Sequence, residues 1–152
     1  MFPAMNFTGT LTALVTPFKD DAERTIDLAA YEALCEAQVS GGVSGLVPCG
    51  TTGESPVLED EEAIELVKRA VAIAKGRAKV VCGTGSNSTK KTISASQKAV
   101  KAGADAIMVV SPYYNKPTQE GLVQHFTAVA KSVDVPVIVY NIPGRTGIDL
   151  SA

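Results

Sequence analysis

Residues 106–147 read AIMVVSPYYNKPTQEGLVQHFTAVAKSVDVPVIVYNIPGRTG. The stretch opens on an apolar run, AIMVV at 106–110, short enough for a buried strand. A loop of Ser111, Pro112, Tyr113, Tyr114 and Asn115 follows. Apolar residues then return at Leu122, Phe126 and Val129, a helical spacing that predicts a helix over 119–132 with Thr118 as its cap. A second apolar run, VPVIVY at 135–140, leads into another loop of Asn141, Ile142, Pro143, Gly144 and Arg145. Strand, helix and strand in that order imply a right-handed crossover and parallel pairing.

The same unit recurs upstream. Strands are expected at 10–18 (TLTALVTPF), 45–49 (GLVPC) and 79–82 (KVVC). Helices are expected at 27–40, 60–75 and 89–102. Gly41 with Gly42, Gly76 and Gly103 stop them, and Ser88 caps the third. The loops differ by side. Every segment after a strand is polar, Gly-rich or aromatic: Thr16 to Phe18, Gly50 to Glu54, Gly83 to Asn87, and the two quoted above. The helix-to-strand turns are short and plain. Barrels of alternating strands and helices carry their chemistry on the C-terminal ends of the strands, so this asymmetry favours a (β/α)8 TIM barrel. A doubly wound sheet follows a similar rule.

Such a barrel has eight strands, and five strands with four helices are readable here. Asp149 or Ser151 reads as the cap of a further helix. The expectation is that residues 1–152 are the N-terminal part of a barrel domain, cut before its sixth strand, with two open sheet edges.

Composition excludes several classes. Hydrophobic residues make up 45% and charged residues 20%, which suits a packed core rather than a disordered chain. The net charge is −2 and no basic patch stands out, which argues against nucleic acid as a partner. No apolar run approaches the roughly 20 residues of a membrane span. The N-terminus lacks the charged and apolar regions of a secretory signal, and Met5 could be the natural start. Cys35, Cys49 and Cys82 have no metal or redox spacing and read as buried free thiols in a reducing cytosol.

The chemistry-bearing residues lie beyond the strands. Gly50-Thr51-Thr52-Gly53-Glu54 sets two hydroxyls between glycines, where backbone N–H groups can approach an anion of carboxylate size. It reads equally as an ordinary strand-to-helix turn. Tyr113, Tyr114 and Tyr140 are three of the chain's 4 tyrosines, and a phenol held by a hydroxyl partner can relay protons. Rim packing is an equal reading of each alone, and three at one face of a barrel shift the balance toward function. Arg145, in a Pro-Gly loop, can clamp a carboxylate through two N–H groups or can make a surface ion pair. His125 is expected to be a solvated or partly packed helix residue. Lys19 and Lys116 end no buried strand and are expected to be solvated.

Taken together, GTLTALVTPF, PCGTTGESPVL, GTGSNST, AGADAIMVVSPYYNKPTQEG and VPVIVYNIPGRTG resemble the dihydrodipicolinate synthase group. That group belongs to the pyruvate-dependent class I aldolases, which also hold N-acetylneuraminate lyase. The resemblance implies a TIM-barrel lyase of lysine and diaminopimelate biosynthesis that condenses pyruvate with aspartate semialdehyde through a Schiff base. Thr51 and Thr52 would bind the pyruvate carboxylate. Thr51, Tyr114 and Tyr140 would form a catalytic proton relay, with Tyr114 reaching into a neighbouring subunit's site. Arg145 would hold the carboxylate of the second substrate. The resemblance further implies a cytoplasmic homotetramer built as a dimer of dimers, needing no metal or organic cofactor.

Two departures stand out. The Schiff-base lysine is expected beyond Ala152, which would leave this chain alone inactive. In the loop that forms a lysine feedback site in some members, Asn87 and Tyr113 are kept. Lys91 stands where an acidic residue is expected, and Asp60 and Ala63 replace histidines. Weak inhibition by lysine follows. The alternatives are another pyruvate-dependent lyase of the same group, or a non-catalytic half-barrel that pairs with a second chain.

Overall fold

The computed structural model describes residues 7–151. The expectation for Met5 falls outside them. Five strands, β1 (Leu11–Ala13), β2 (Gly45–Val47), β3 (Lys79–Gly83), β4 (Ala106–Val110) and β5 (Val137–Tyr140), form one sheet. Each pairs in parallel with the next, in the spatial order β1-β2-β3-β4-β5. A doubly wound sheet reverses its order at a switch point, so the strictly sequential order leaves the barrel arrangement. Four helices connect the strands: α1 (Leu28–Ser40), α2 (Asp60–Ala74), α3 (Thr89–Lys101) and α4 (Gln119–Ala130). Consecutive helices pack on one another, α1 on α2, α2 on α3 and α3 on α4, as right-handed crossovers advancing in one direction require.

Local chemistry sets the helix ends. The Asp27 carboxylate accepts from the Ala30 amide, and the Ser88 and Thr118 hydroxyls cap α3 and α4 likewise. Glu59 and Glu62 form a reciprocal capping box on α2, beside three acidic residues in its first turn.

The two faces of the sheet bury different sets. Toward the helices, Leu14, Leu46, Leu66, Val67, Val80 and Tyr31 form the main core, continued by Ile107, Val109 and Val129. On the other face Val47, Val81 and Ala106 pack with Leu11, Met108 and Ile138. Cys35, Cys49 and Cys82 are buried and free. Burial pushes the Cys35 thiol up to about 11 and holds the Tyr31 phenol, which neighbours it, far above its usual range.

Several expected boundaries move, each for a physical reason. Regular pairing in β1 stops at Ala13 rather than 18, although Leu14 N–H still donates to Val47 O at 3.1 Å. β2 ends at Val47 rather than 49, because Pro48 has no N–H and Cys49 turns to φ 56. β5 starts at Val137, just past Pro136. α4 stops at Ala130, two residues early. Ala102 is the C-cap of α3, and Gly103 follows at φ 102.

The loop after β5 contains an unexpected single turn, α5 (Pro143–Thr146), started by a proline whose fixed φ suits a first helical position. No helix starts at Asp149 or Ser151 among the described residues. The Asp149 carboxylate instead accepts from the Asn141 amide at 2.6 Å. Val139 is 42% exposed on the face where helices cover the other strands. No helix among the described residues is long and apolar enough to cross a membrane.

Candidate functional site

The loops after β2, β3, β4 and β5 surround one cavity of about 760 Å³. Thr51, Ser55 and Pro56 come from the first loop, and Thr84, Gly85 and Ser86 from the second. Tyr113 comes from the third, and Ile142, Arg145 and Thr146 from the fourth. All of these follow the C-terminal ends of their strands, the end that carries chemistry in barrels.

The loop after β2 folds as two successive short 3-10 turns, Thr51–Gly53 and Ser55–Val57. Gly53 N–H donates to Gly50 O at 3.1 Å, and Glu54 N–H to Thr51 O at 3.1 Å. Thr51 and Thr52 are both exposed at the head of this turn. Thr51 lines the cavity and Thr52 does not.

Arg145 sits in the single turn α5 with its side chain exposed and no acidic partner among the described residues. A guanidinium left unpaired in a cavity wall is available to a carboxylate. The surface ion pair that is its equal alternative is not formed among those residues.

The tyrosines divide. Tyr113 lines the cavity. Tyr114 is 90% exposed at φ 71 and stands outside that lining, as does the half-buried Tyr140 at the end of β5. No hydrogen bond among the described residues joins the hydroxyls of Thr51, Tyr114 and Tyr140. Lys91, Asp60 and Ala63 line the same cavity, and the Asp60 carboxylate is held by Lys98 Nζ at 2.6 Å. Asn87 does not line the cavity, and its carbonyl accepts from the Asn115 side chain at 3.1 Å.

The chain matches the Dihydrodipicolinate synthetase family over residues 6–152. It belongs to that family. The curated 4-hydroxy-tetrahydrodipicolinate synthase of Sorangium cellulosum is 59% identical over 144 residues, covering 95% of this chain and 48% of the relative. The solved 4-hydroxy-tetrahydrodipicolinate synthase of Methylacidiphilum fumariolicum SolV superposes with a TM-score of 0.92 at 47% identity, over 96% of this chain and 48% of that one. The dihydrodipicolinate synthase of Acinetobacter baumannii, solved in complex with pyruvate, superposes with a TM-score of 0.92 at 44% identity, over 96% and 50%. The chain spans about half the length of the relatives it matches. Its fold is that of the dihydrodipicolinate synthetase barrels, represented by five of their strands.

Several polar residues in or beneath the cavity wall were not readable in advance. Thr16 is 5% exposed, and its hydroxyl donates to Gly53 O at 2.7 Å. Thr84 lines the cavity with its Oγ1 2.9 Å from Ser96 Oγ. Thr146 is buried, and its hydroxyl reaches Ile142 O and Ile148 O at 3.1 and 2.9 Å, fixing the turn that carries Arg145. The partners of Thr16 and Thr84 come from other elements, so no local pattern marks them.

His125 is more buried than the solvated or partly packed helix residue expected. It is 4% exposed, with Nδ1 bonded to Thr89 and Nε2 unpartnered among the described residues. A signal was present: 125 lies three residues after Leu122 and four before Val129, on the apolar stripe of α4.

Proposed function

We propose that the protein carrying this chain condenses pyruvate with aspartate semialdehyde through a Schiff base, a lyase reaction of lysine and diaminopimelate biosynthesis. One observation carries the reading: Thr51 and the unpaired Arg145, from loops after different strands, face one cavity large enough for two small acids. Family membership and the pyruvate complex of the Acinetobacter baumannii relative support it.

In this reading Thr51 and Thr52 hold the pyruvate carboxylate, and Arg145 holds the carboxylate of the semialdehyde. A lysine amine attacks the pyruvate keto carbon and water leaves, giving an iminium. Loss of a methyl proton then gives an enamine, the nucleophile that attacks the aldehyde carbon. Thr51, Tyr114 and Tyr140 carry the protons of these steps. The exposure and left-handed backbone of Tyr114 suit a residue that completes the site of a neighbouring subunit, in a tetramer built from dimers.

Every lysine of the chain is exposed, and none ends a buried strand. A desolvated, nucleophilic amine would therefore come from outside residues 1–152. The domain is then the N-terminal part of a barrel. The reading places the enzyme in the cytoplasm and gives it no metal or organic cofactor.

A second reading, a half-barrel that pairs with another chain, draws on the single-sided pairing of β1 and β5 and the exposure of Val139.

The test is the steady-state kinetics of Arg145→Ala in the full-length protein. The KM for aspartate semialdehyde rises roughly tenfold or more while that for pyruvate stays within about twofold. An unchanged semialdehyde KM would remove Arg145 from the assigned role.

A further inference from the structure

The Gly50-to-Glu54 turn is fixed at two points that no local pattern announces. On one side lies the extended segment after β1. There the buried Thr16 hydroxyl donates to Gly53 O at 2.7 Å. The approach is close: a Cβ added at Gly53 would sit 2.9 Å from Leu14 O and 3.3 Å from Thr16 Oγ1. On the other side lies the end of β3. A Cβ at Gly83 would sit 2.2 Å from Cys49 O and 3.0 Å from Gly50 N, so only a residue without a side chain lets the turn come down there. Gly83 N–H also donates to Pro48 O at 3.0 Å.

Between these points the backbone is strained. Cys49 at φ 56 and Glu54 at φ 55 bracket the turn, and neither is a glycine. Such conformations persist only where the surroundings over-determine them. Gly53 is buried, so its carbonyl without the Thr16 hydroxyl would lack a partner in a site that water does not reach freely.

We propose that Thr16 is a positioning residue: with Gly83 it clamps the turn so that the Thr51 hydroxyl is presented to the cavity. The inference rests on the reading of Thr51 as a pyruvate ligand. Thr16 itself touches no substrate. Its hydroxyl acts through the Gly53 carbonyl, two residues from Thr51.

The experiment compares Thr16→Val, which keeps the shape and loses the donor, with Thr16→Ser, which keeps the donor. Both are made in the full-length protein, with Gly83→Ala as a second route should Thr16→Val fail to fold. Amide hydrogen exchange over residues 50–54 reports the clamp, and calorimetric titration with pyruvate reports its consequence. In Thr16→Val, exchange at Gly53 and Glu54 quickens and the pyruvate Kd rises, each about tenfold, while exchange in α4 is unchanged. Thr16→Ser returns both to within about twofold of the parent.

A Thr16→Val protein with parental exchange and parental Kd overturns the proposal. So does one whose turn exchanges faster while pyruvate binds as before. If the parent binds no pyruvate, the substrate reading fails, and the exchange contrast between the Val and Ser variants decides the clamp.

Discussion

His125 on α4 holds the first residue of α3, its Nδ1 2.9 Å from the Thr89 hydroxyl oxygen. The ring is buried, stands edge-on to Phe126 with centroids 5.2 Å apart, and leaves Nε2 without a partner among the described residues. Burial pushes its pKa below the usual value, because the charged imidazolium would lose its hydration there. The unfolded chain then binds the proton more readily than the folded one, so the stability associated with neutral His125 is fully present above about pH 6.5 and falls as the pH drops below it. Urea midpoints measured between about pH 7 and pH 5 should decline more steeply in the parent than in His125→Gln. Parallel declines would show that His125 does not couple folding to pH.

A different acid response belongs to Glu36 on α1. Both of its oxygens accept from the Arg77 guanidinium, at 3.0 and 2.7 Å, tying α1 to the turn before β3. Arg77 first, and the Ser40 hydroxyl second, draw the carboxyl from 4.5 down to about 2. A depressed carboxylate contributes stability above its unfolded pKa and loses it as the pH falls toward the folded one. Glu36→Gln should therefore lower the urea midpoint slightly near neutrality, with the difference closing by about pH 2. A constant difference across that range would assign the effect to packing rather than charge.

Glycines separate conformational strain from crowding. Gly76 and Gly103 both lie in the left-handed region, at φ 75 and 102. An added Cβ meets nothing within 4 Å at Gly76, but at Gly103 it lies 3.0 Å from Val71 Cγ1. Gly76→Ala should cost about 1 kcal/mol and Gly103→Ala about 2 kcal/mol of folding stability by chemical denaturation. Equal losses would mean that Val71 yields freely.

Lysine should inhibit the full-length form weakly. Lys91 faces the cavity, where it would repel the ligand's ammonium, and the Asp60 carboxylate is already paired with Lys98. Clear inhibition by lysine at low millimolar levels contradicts this, and its appearance only in Lys91→Glu would support it.

What the sequence disclosed depended on how local each cause is. β4 was legible to the residue because it lies between β3 and β5 with its core side chains buried, leaving an uninterrupted apolar run. The caps Asp27, Ser88 and Thr118 act within three residues and were largely readable. Thr51 and Arg145 stood out as polar groups just past apolar strands, and both line the cavity. The 3-10 turns and the Thr16 contact were not legible. They depend on a proline that breaks pairing, a left-handed cysteine and a carbonyl 37 residues distant. Only the folded chain brings these together.

The most direct test of the central claim treats the full-length protein and the chain of residues 1–152 with pyruvate and borohydride, then weighs both intact and maps any adduct. The account predicts one reduced pyruvyl adduct on the full-length protein, on a lysine outside residues 1–152, and none on the short chain. An unmodified full-length protein, or an adduct on a lysine within these residues, would contradict it.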